Sequence, residues 1–210
     1  MQGLKDREII KFIGMNYEGA EKFVTELLEQ KLSKNLLYHN LAHTLDVLEC
    51  VQRLGASEKI NDHEMLLLKT AALFHDTGFI ERYQDNEPLA CKLASETLPG
   101  FGYTEKDIEI VNRIILSTAL SATVNNLLHE IIRDADLDYL GRDDFARISN
   151  NYRKELHLHG TSYTDKEWYQ QEIRFLEHHS WFTLSAKADR DRGKQKNLEV
   201  VKKIFRLGQY

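Results

Sequence analysis

Apolar residues recur at intervals of three and four through most of the chain, the spacing of one buried face on each of a series of helices. Phe23, Val24, Leu27, Leu28 and Leu32 form such a stripe over residues 20–32, and residues 4–13 carry a similar pattern. In YHNLAHTLDVLECVQRLG, residues 38–55, the stripe is Leu41, Leu45, Leu48, Val51 and Leu54, with Asn40 placed to cap the start and Gly55 to mark the stop. The stretch LLLKTAALFHDTGF, residues 66–79, is different. It is nearly unbroken in its apolar character, which predicts a helix buried on all sides, with Asn61 and Asp62 offering a cap.

A polar loop at 81–88 leads to a predicted helix from about Leu89 to Leu98, closed by Pro99 and Gly100. Thr104 and Asp107 form a capping-box pattern before IEIVNRIIL, and Thr164 and Glu167 form another before a helix through Trp168, Ile173, Phe175 and Leu176. Between them, residues 125–137 place Leu127, Leu128, Ile131 and Ile132 on one face and end in DADL. A more polar helix follows Gly141 to about Leu156, and a basic segment, roughly 181–206, closes the chain. LHLHG at 156–160 alternates like a strand but is too short to outweigh eight or so helical segments. No repeat or linker divides the sequence. The pattern predicts an all-α, single-domain protein spanning residues 1–210.

Composition narrows the class further. A length of 210 residues supports one sizeable core, and 42% hydrophobic with 29% charged residues is ordinary for a soluble globular chain. Two prolines suit long, uninterrupted helices. A net charge of -5 provides no basic footprint for a nucleic-acid duplex. The N-terminus lacks the apolar core of a signal peptide, and Lys69 interrupts the most apolar run before it reaches membrane-spanning length. Cys50 and Cys91 both fall in apolar-periodic segments, as expected of reduced, buried thiols in a cytoplasmic protein.

The candidate chemistry lies in titratable groups on apolar faces. His43 is flanked by Leu41, Leu45 and Val47; His75 and Asp76 end the central apolar helix; Asp136 ends the helix that carries Ile132. Burying such groups is costly unless they are paired or bind a metal. Two imidazoles and two carboxylates form a mixed nitrogen and oxygen donor set suited to a divalent ion such as Mn, Fe, Co, Ni, Zn or Mg. Neighbours on a helix point about 100° apart, so one ion takes both His75 and Asp76 only if it lies between their directions. Such an ion lowers the pKa of bound water and yields a hydroxide nucleophile near neutral pH. His39, four residues before His43, falls on the same side if both are helical, and its imidazole could protonate a leaving oxygen. Asp134 is a candidate partner for orienting an imidazole. Lys69, Arg82, Arg133 and Arg142 could bind phosphate but read better as solvated or salt-bridged charges. His157, His159, His178 and His179 lack ligand spacing and read as surface or packing residues; Arg190, Arg192, Lys194 and Lys196 read as a solvated helix face.

His43, the His75–Asp76 doublet in AALFHD, and Asp136 in DADL together resemble the H…HD…D signature of the HD superfamily of metal-dependent phosphohydrolases, over roughly residues 36–145. YHNLAHTLDV also resembles the metal-binding helix of the class I cyclic nucleotide phosphodiesterases. The resemblance implies an HD-type helical bundle, with helices from about 146–206 packing on the motif core, and a divalent metal on His43, His75, Asp76 and Asp136. It makes His39 the proton donor, counts Asp76 among the catalytic groups, and implies hydrolysis of a phosphate ester of a nucleotide or similar small molecule, with a diester slightly favoured. The sequence departs from the pattern in one respect. Where many HD proteins supply further histidines for a second ion, this chain offers Asn86, Glu87, Ser117 and Thr118, with His129 the only histidine between Asp76 and Asp136. No glutamine can be matched to the one that the phosphodiesterases use to recognise a purine. The shortage of histidines leaves a non-catalytic module that senses a nucleotide or second messenger as the alternative, and it argues against a di-iron oxygenase, the third possibility.

Overall fold

The structure is a computed structural model that describes residues 14–208, and within them the regular secondary structure is entirely helical. The helix expected over 4–13 lies outside the described residues. Nine α-helices follow in order: α1 Tyr17–Lys31, α2 Leu41–Ser57, α3 Asp62–Phe74, α4 Glu87–Thr97, α5 Glu105–Leu116, α6 Leu127–Asp136, α7 Phe145–Leu158, α8 Asp165–His178 and α9 Leu184–Leu207. Tight 3-10 turns at Thr77–Ile80, Leu98–Phe101 and Asp138–Gly141 link some of them. LHLHG is the end of α7 and the turn beyond it. No helix among the described residues is long and apolar enough to cross a membrane.

Polar residues at the helix starts set most boundaries. Asn40, Asn61, Thr104, Asn126, Thr164 and Thr183 each accept a backbone N–H of the first turn through the side chain. At Asn61, Thr104 and Thr164 the residue three positions on returns the bond, completing a capping box. Gly55 does not stop α2, because its backbone is ordinary helix. The end comes four residues later at Lys59, which enters the left-handed region at φ 58°. Gly55 instead leaves room for Met65 and Ile60, whose side chains would contact a Cβ at 2.7 and 2.9 Å.

α3 is the central element. Leu67, Leu68, Ala71, Ala72, Leu73 and Phe74 are all buried, and the helix packs against α1, α2, α4, α5 and α6. A helix apolar on every side has nowhere stable to sit except inside such a ring. It ends earlier than the sequence pattern predicts. His75 still donates its backbone N–H to Ala71, but Asp76 turns to φ -102°, ψ 4°, and Thr77–Ile80 tightens into a 3-10 turn. Gly78 is required by contact. A Cβ there would sit 2.0 Å from the carbonyl oxygen of Asn86, so glycine lets the start of α4 close over this turn.

The basic C-terminal helix is less solvated than its composition implies. Arg190 donates to Asp138 with Nε at 2.8 Å and a terminal nitrogen at 3.0 Å, and Arg53 of α2 reaches the same carboxylate at 2.7 Å. Lys194 is buried and donates to the His179 carbonyl at 2.5 Å, while Lys196 pairs with Asp143 and Arg192 is exposed. α9 thereby fastens to α8 and to the Asp138–Gly141 turn. Cys50 is buried and Cys91 half-buried, and both are free thiols.

His179 links this packing to pH. Its ring sits edge-on to Trp181 at 4.5 Å; burial, with Lys194 and Arg133 nearby, pushes its pKa down to about 4. Between pH 6.5 and 4 the unfolded chain therefore binds a proton that the folded chain refuses, and stability falls as pH falls through that window. A melting curve followed from pH 7 to pH 4 should drop, and His179→Gln, which cannot take the proton, should flatten part of that drop. An unchanged pH profile in the variant would contradict this account.

Candidate metal centre

The end of α3, the start of α2 and the end of α6 meet at one point. His43 Nε2 lies 3.4 Å from Asp76 Oδ2 and 3.1 Å from Asp136 Oδ1. His75 Nε2 lies 3.2 Å from Asp76 Oδ2 and 3.7 Å from Asp136 Oδ1. Donor atoms of His43, His75 and Asp136 all fall within 4.8 Å of one another, so these three could hold a metal ion. The oxygen of Asp76 borders both imidazoles of that group.

The hydrogen bonds around these atoms show what the cluster fits. His43 Nε2, His75 Nε2 and Asp76 Oδ2 are buried and have no hydrogen-bond partner in the protein, despite lying only 3.2–3.4 Å apart. Buried polar atoms left in this state are expensive, and a shared cation would satisfy all three at once. His75 is already set for it. Its Nδ1 lies 2.8 Å from the Ala72 carbonyl, which requires a proton on Nδ1 and makes Nε2 the nitrogen that faces the cluster.

The departure from helix at Asp76 makes this convergence workable. Two adjacent residues on a continuing helix would diverge, whereas the turn at Asp76 brings its Oδ2 back beside the preceding imidazole. The three aspartates of the DADLD run also separate by function. Asp136 faces the cluster, and Asp138 anchors Arg53 and Arg190. Asp134 orients no imidazole. It accepts the backbone N–H groups of Phe182 and Thr183 and the Thr183 hydroxyl at 2.7–2.9 Å, tying the α8–α9 turn to α6.

His39 is not on α2, as its spacing from His43 had suggested. It sits in the bend before Asn40, yet its ring is 5.9 Å from that of His43 and stacks on Phe79 at 4.3 Å. Its partner is Glu155, a fully buried residue of α7 that the sequence reading passed over. Glu155 Oε1 lies 2.5 Å from His39 Nδ1 and accepts the Tyr83 hydroxyl at 3.1 Å. Glu155 Oε2 accepts the backbone N–H groups of Tyr38 and His39 at 2.7 and 3.0 Å. Burial opposes the charge on Glu155, but these donors hold its carboxyl below the usual range, so it is the acceptor and His39 Nδ1 the donor. The signal was present: Glu155 is spaced seven from Ile148 and three from Tyr152, on the buried stripe of α7.

Charges in the cluster reinforce one another. Burial opposes protonation of His75, yet Asp76 and Asp136 outweigh it and push its pKa up to about 9. Burial likewise opposes charge on Asp76 and Asp136, but His75 beside the first and His43 beside the second hold both carboxyls below the usual range. For His39, burial lowers the pKa and the Glu155 bond with the nearby carboxylates raises it, for a net upward shift.

The cluster opens into a cleft of about 670 Å³ lined by His39, Asp76, Asn86, Thr118 and Asp136 among others. Asn86 sits at the start of α4 without capping it, and its buried Oδ1 has no partner. No lysine or arginine among the described residues lines this cleft. The cations weighed for phosphate are engaged elsewhere. Lys69 lies over the Tyr17 ring, Arg82 bonds the Gln84 and Asp85 carbonyls, Arg133 bonds those of Ser117 and Ala119, and Arg142 pairs with Asp46 and Asp144. His129 is buried near the start of α6 and is not one of the residues grouped at the cluster. His157, His159, His178 and His179 serve local packing; His159 stacks on Tyr83 at 3.8 Å.

No family model, curated protein or solved structure matches the chain.

A cation and a proton compete for the His75 nitrogen. With a pKa of about 9, His75 carries a proton at pH 7 that an incoming ion must displace. Calorimetric titration of the protein with Zn²⁺ or Mn²⁺ at pH 7, repeated in buffers of different ionisation enthalpy, should show release of roughly one proton per ion. An observed heat independent of buffer would remove the proposed competition.

Proposed function

We propose that the protein is a metal-dependent phosphohydrolase that cleaves a phosphate diester of a nucleotide or similar small molecule. One observation carries the reading: a cluster of buried imidazole and carboxylate atoms without partners meets, at Asp76 and Asp136, a cleft that also holds a histidine built to hold a proton. The HD-type pattern read from the sequence agrees with this assignment of roles. His43, His75, Asp76 and Asp136 would hold the ion. A divalent ion supplies, when bound, a polarised water and positive charge opposite the phosphoryl oxygens.

The chain's own groups account for the remaining needs of the reaction. Hydrolysis forms a bond from the water oxygen to phosphorus and breaks the bond to the alcohol oxygen, which must leave with a proton. His39 is placed to give it. Glu155 fixes the ring with Nδ1 inward, which turns Nε2 towards the cleft, and it raises the ring's affinity for a proton so that the imidazolium is populated near neutral pH. Phe79 covers one face of the ring and limits its rotation. Asn86 can meet a phosphoryl oxygen or an ordered water through its amide.

The charge of the cleft favours a diester. A monoester or polyphosphate brings two or more negative charges, and no lysine or arginine among the described residues lines the cleft to offset them. A diester brings one, which a divalent ion and the His39 imidazolium can balance. Purified protein supplied with Mn, Mg, Fe, Co or Ni should therefore hydrolyse bis(p-nitrophenyl) phosphate in preference to p-nitrophenyl phosphate. Asp76→Asn and Asp136→Asn should reduce that activity to background; activity that survives both would refute the reading.

The acid role has a separate signature. p-Nitrophenolate leaves without a proton, whereas an alkoxide needs one. His39→Ala should cost about 10²–10⁴ in kcat on an alkyl diester and far less on the nitrophenyl ester. Glu155→Gln removes the carboxylate that raises the His39 pKa. The alkaline limb of the alkyl-diester pH profile should then move to lower pH. Equal losses on both leaving groups would assign His39 to binding instead of proton transfer.

A further inference from the structure

Away from the cluster, the cleft reaches a carboxyl that hydrolysis does not use. Glu172, on α8, lines the cleft and is half-buried, and burial pushes its pKa above the usual range. The Ser149 hydroxyl donates to its Oε1 and the Trp168 indole also hydrogen-bonds it, but neither brings positive charge. Arg153 acts to lower its pKa and sits over the Trp168 ring at 5.9 Å. That guanidinium pairs with Asp165 at 2.7 Å and the Tyr163 carbonyl at 2.8 Å, and it lines a separate groove. Glu172 is thus a carboxyl set among aromatic side chains, and the guanidinium that acts on it is bonded to other groups. Tyr139, Tyr152, Trp168 and Phe175 line the same cleft, which also carries Asp85 and Glu87 but, among the described residues, no lysine or arginine.

We propose that this part of the cleft binds an alkylammonium group carried by the substrate's alcohol, with Glu172 as counter-ion and the aromatic side chains around it. Three features favour a cation over a neutral ring. A carboxylate removed from water gains most from an opposite charge. Aromatic faces attract ammonium groups through the ring quadrupole. A cleft that carries Asp85, Glu87 and Glu172 but no lysine or arginine among the described residues disfavours polyanionic substrates. The substrate is then zwitterionic: its phosphoryl group lies at the His43–Asp136 cluster and its ammonium at Glu172. A volume of about 670 Å³ accommodates a small diester of this kind.

The inference rests on the phosphohydrolase reading for its chemistry but not for its binding, and the test separates the two. Choline and its neutral isostere 3,3-dimethylbutanol are titrated calorimetrically into the full-length protein, wild type and Glu172→Gln. In parallel, kcat/KM is measured for p-nitrophenyl phosphocholine and p-nitrophenyl 3,3-dimethylbutyl phosphate with the metal that best supports turnover. Choline should bind about ten-fold or more tightly than the alcohol, with a matching preference in kcat/KM, and Glu172→Gln should abolish both preferences. Phe175→Leu, which keeps bulk but removes a ring, should weaken them and serves if Glu172→Gln does not fold. Equal binding of the two, no binding of choline, or a preference that survives both variants overturns the ammonium site. Choline binding that depends on Glu172, with no diester hydrolysed under any metal, keeps the site and removes the phosphohydrolase. Hydrolysis without ammonium preference does the reverse.

Discussion

The arrangement of the molecule depends on one energetic conflict: His75 and Asp76 are polar groups at the end of its most buried helix. Every residue of α3 from Thr70 to Phe74 is buried, so the chain carries an imidazole and a carboxylate directly out of the core. An unsatisfied buried polar atom costs on the order of 1–3 kcal/mol, and more if charged. His43 Nε2, His75 Nε2 and Asp76 Oδ2 all lie in this state within one small volume. Ordinary packing does not collect such atoms together unless something else repays the cost. Their mutual electrostatics repays part of it, since the carboxylates hold a proton on His75. A cation that replaced this proton would repay more, because it offers every donor atom a bond at once.

The surrounding fold keeps that conflict from relaxing. If Asp76 continued the helix, its carboxylate would swing away from His75 and the cluster would disperse. Gly78 prevents this by allowing the Asn86 backbone to press on the turn at a distance that no side chain would permit. On the far side, Asp134 and Asp138 pin α6 to the α8–α9 turn and to α9, so Asp136 between them has little freedom to withdraw. One helix end thus assigns three neighbouring aspartates to three separate partners, which accounts for the dense acidity of DADLD.

Most of this was legible from the sequence where a local rule governs it. Capping boxes at Thr104 and Thr164 and the buried character of α3 follow from short-range chemistry, and the structure shows them. So does the meeting of His43, His75 and Asp136, because each stands on an apolar stripe where a polar side chain needs a partner. The misses are nonlocal. Asp134 looked like a companion to the histidines because it is close in sequence, yet its partners are 48 and 49 residues away. Arg190 and Lys194 looked solvated because their own helix is polar; a carboxylate and a carbonyl on other elements hold them. Glu155 was overlooked because its partner is 116 residues distant, although its place on the apolar stripe of α7 was visible.

Glu155 and Glu172 show how one helical layer can separate two functions. Both are acidic residues on helices beside a cleft that no lysine or arginine among the described residues lines. Glu155 accepts two backbone N–H groups, an imidazole and a phenol, and is held ionised; its charge is committed to placing His39. Glu172 receives only a hydroxyl and an indole, and burial keeps its affinity for protons high. What distinguishes them is the number of donors the fold has already supplied. A carboxylate with its donors in place fixes a neighbour, whereas one left short of donors remains free to recruit a ligand. On that criterion, the acid by His39 belongs to the apparatus of the cleft, and the acid by Trp168 belongs to whatever the cleft receives.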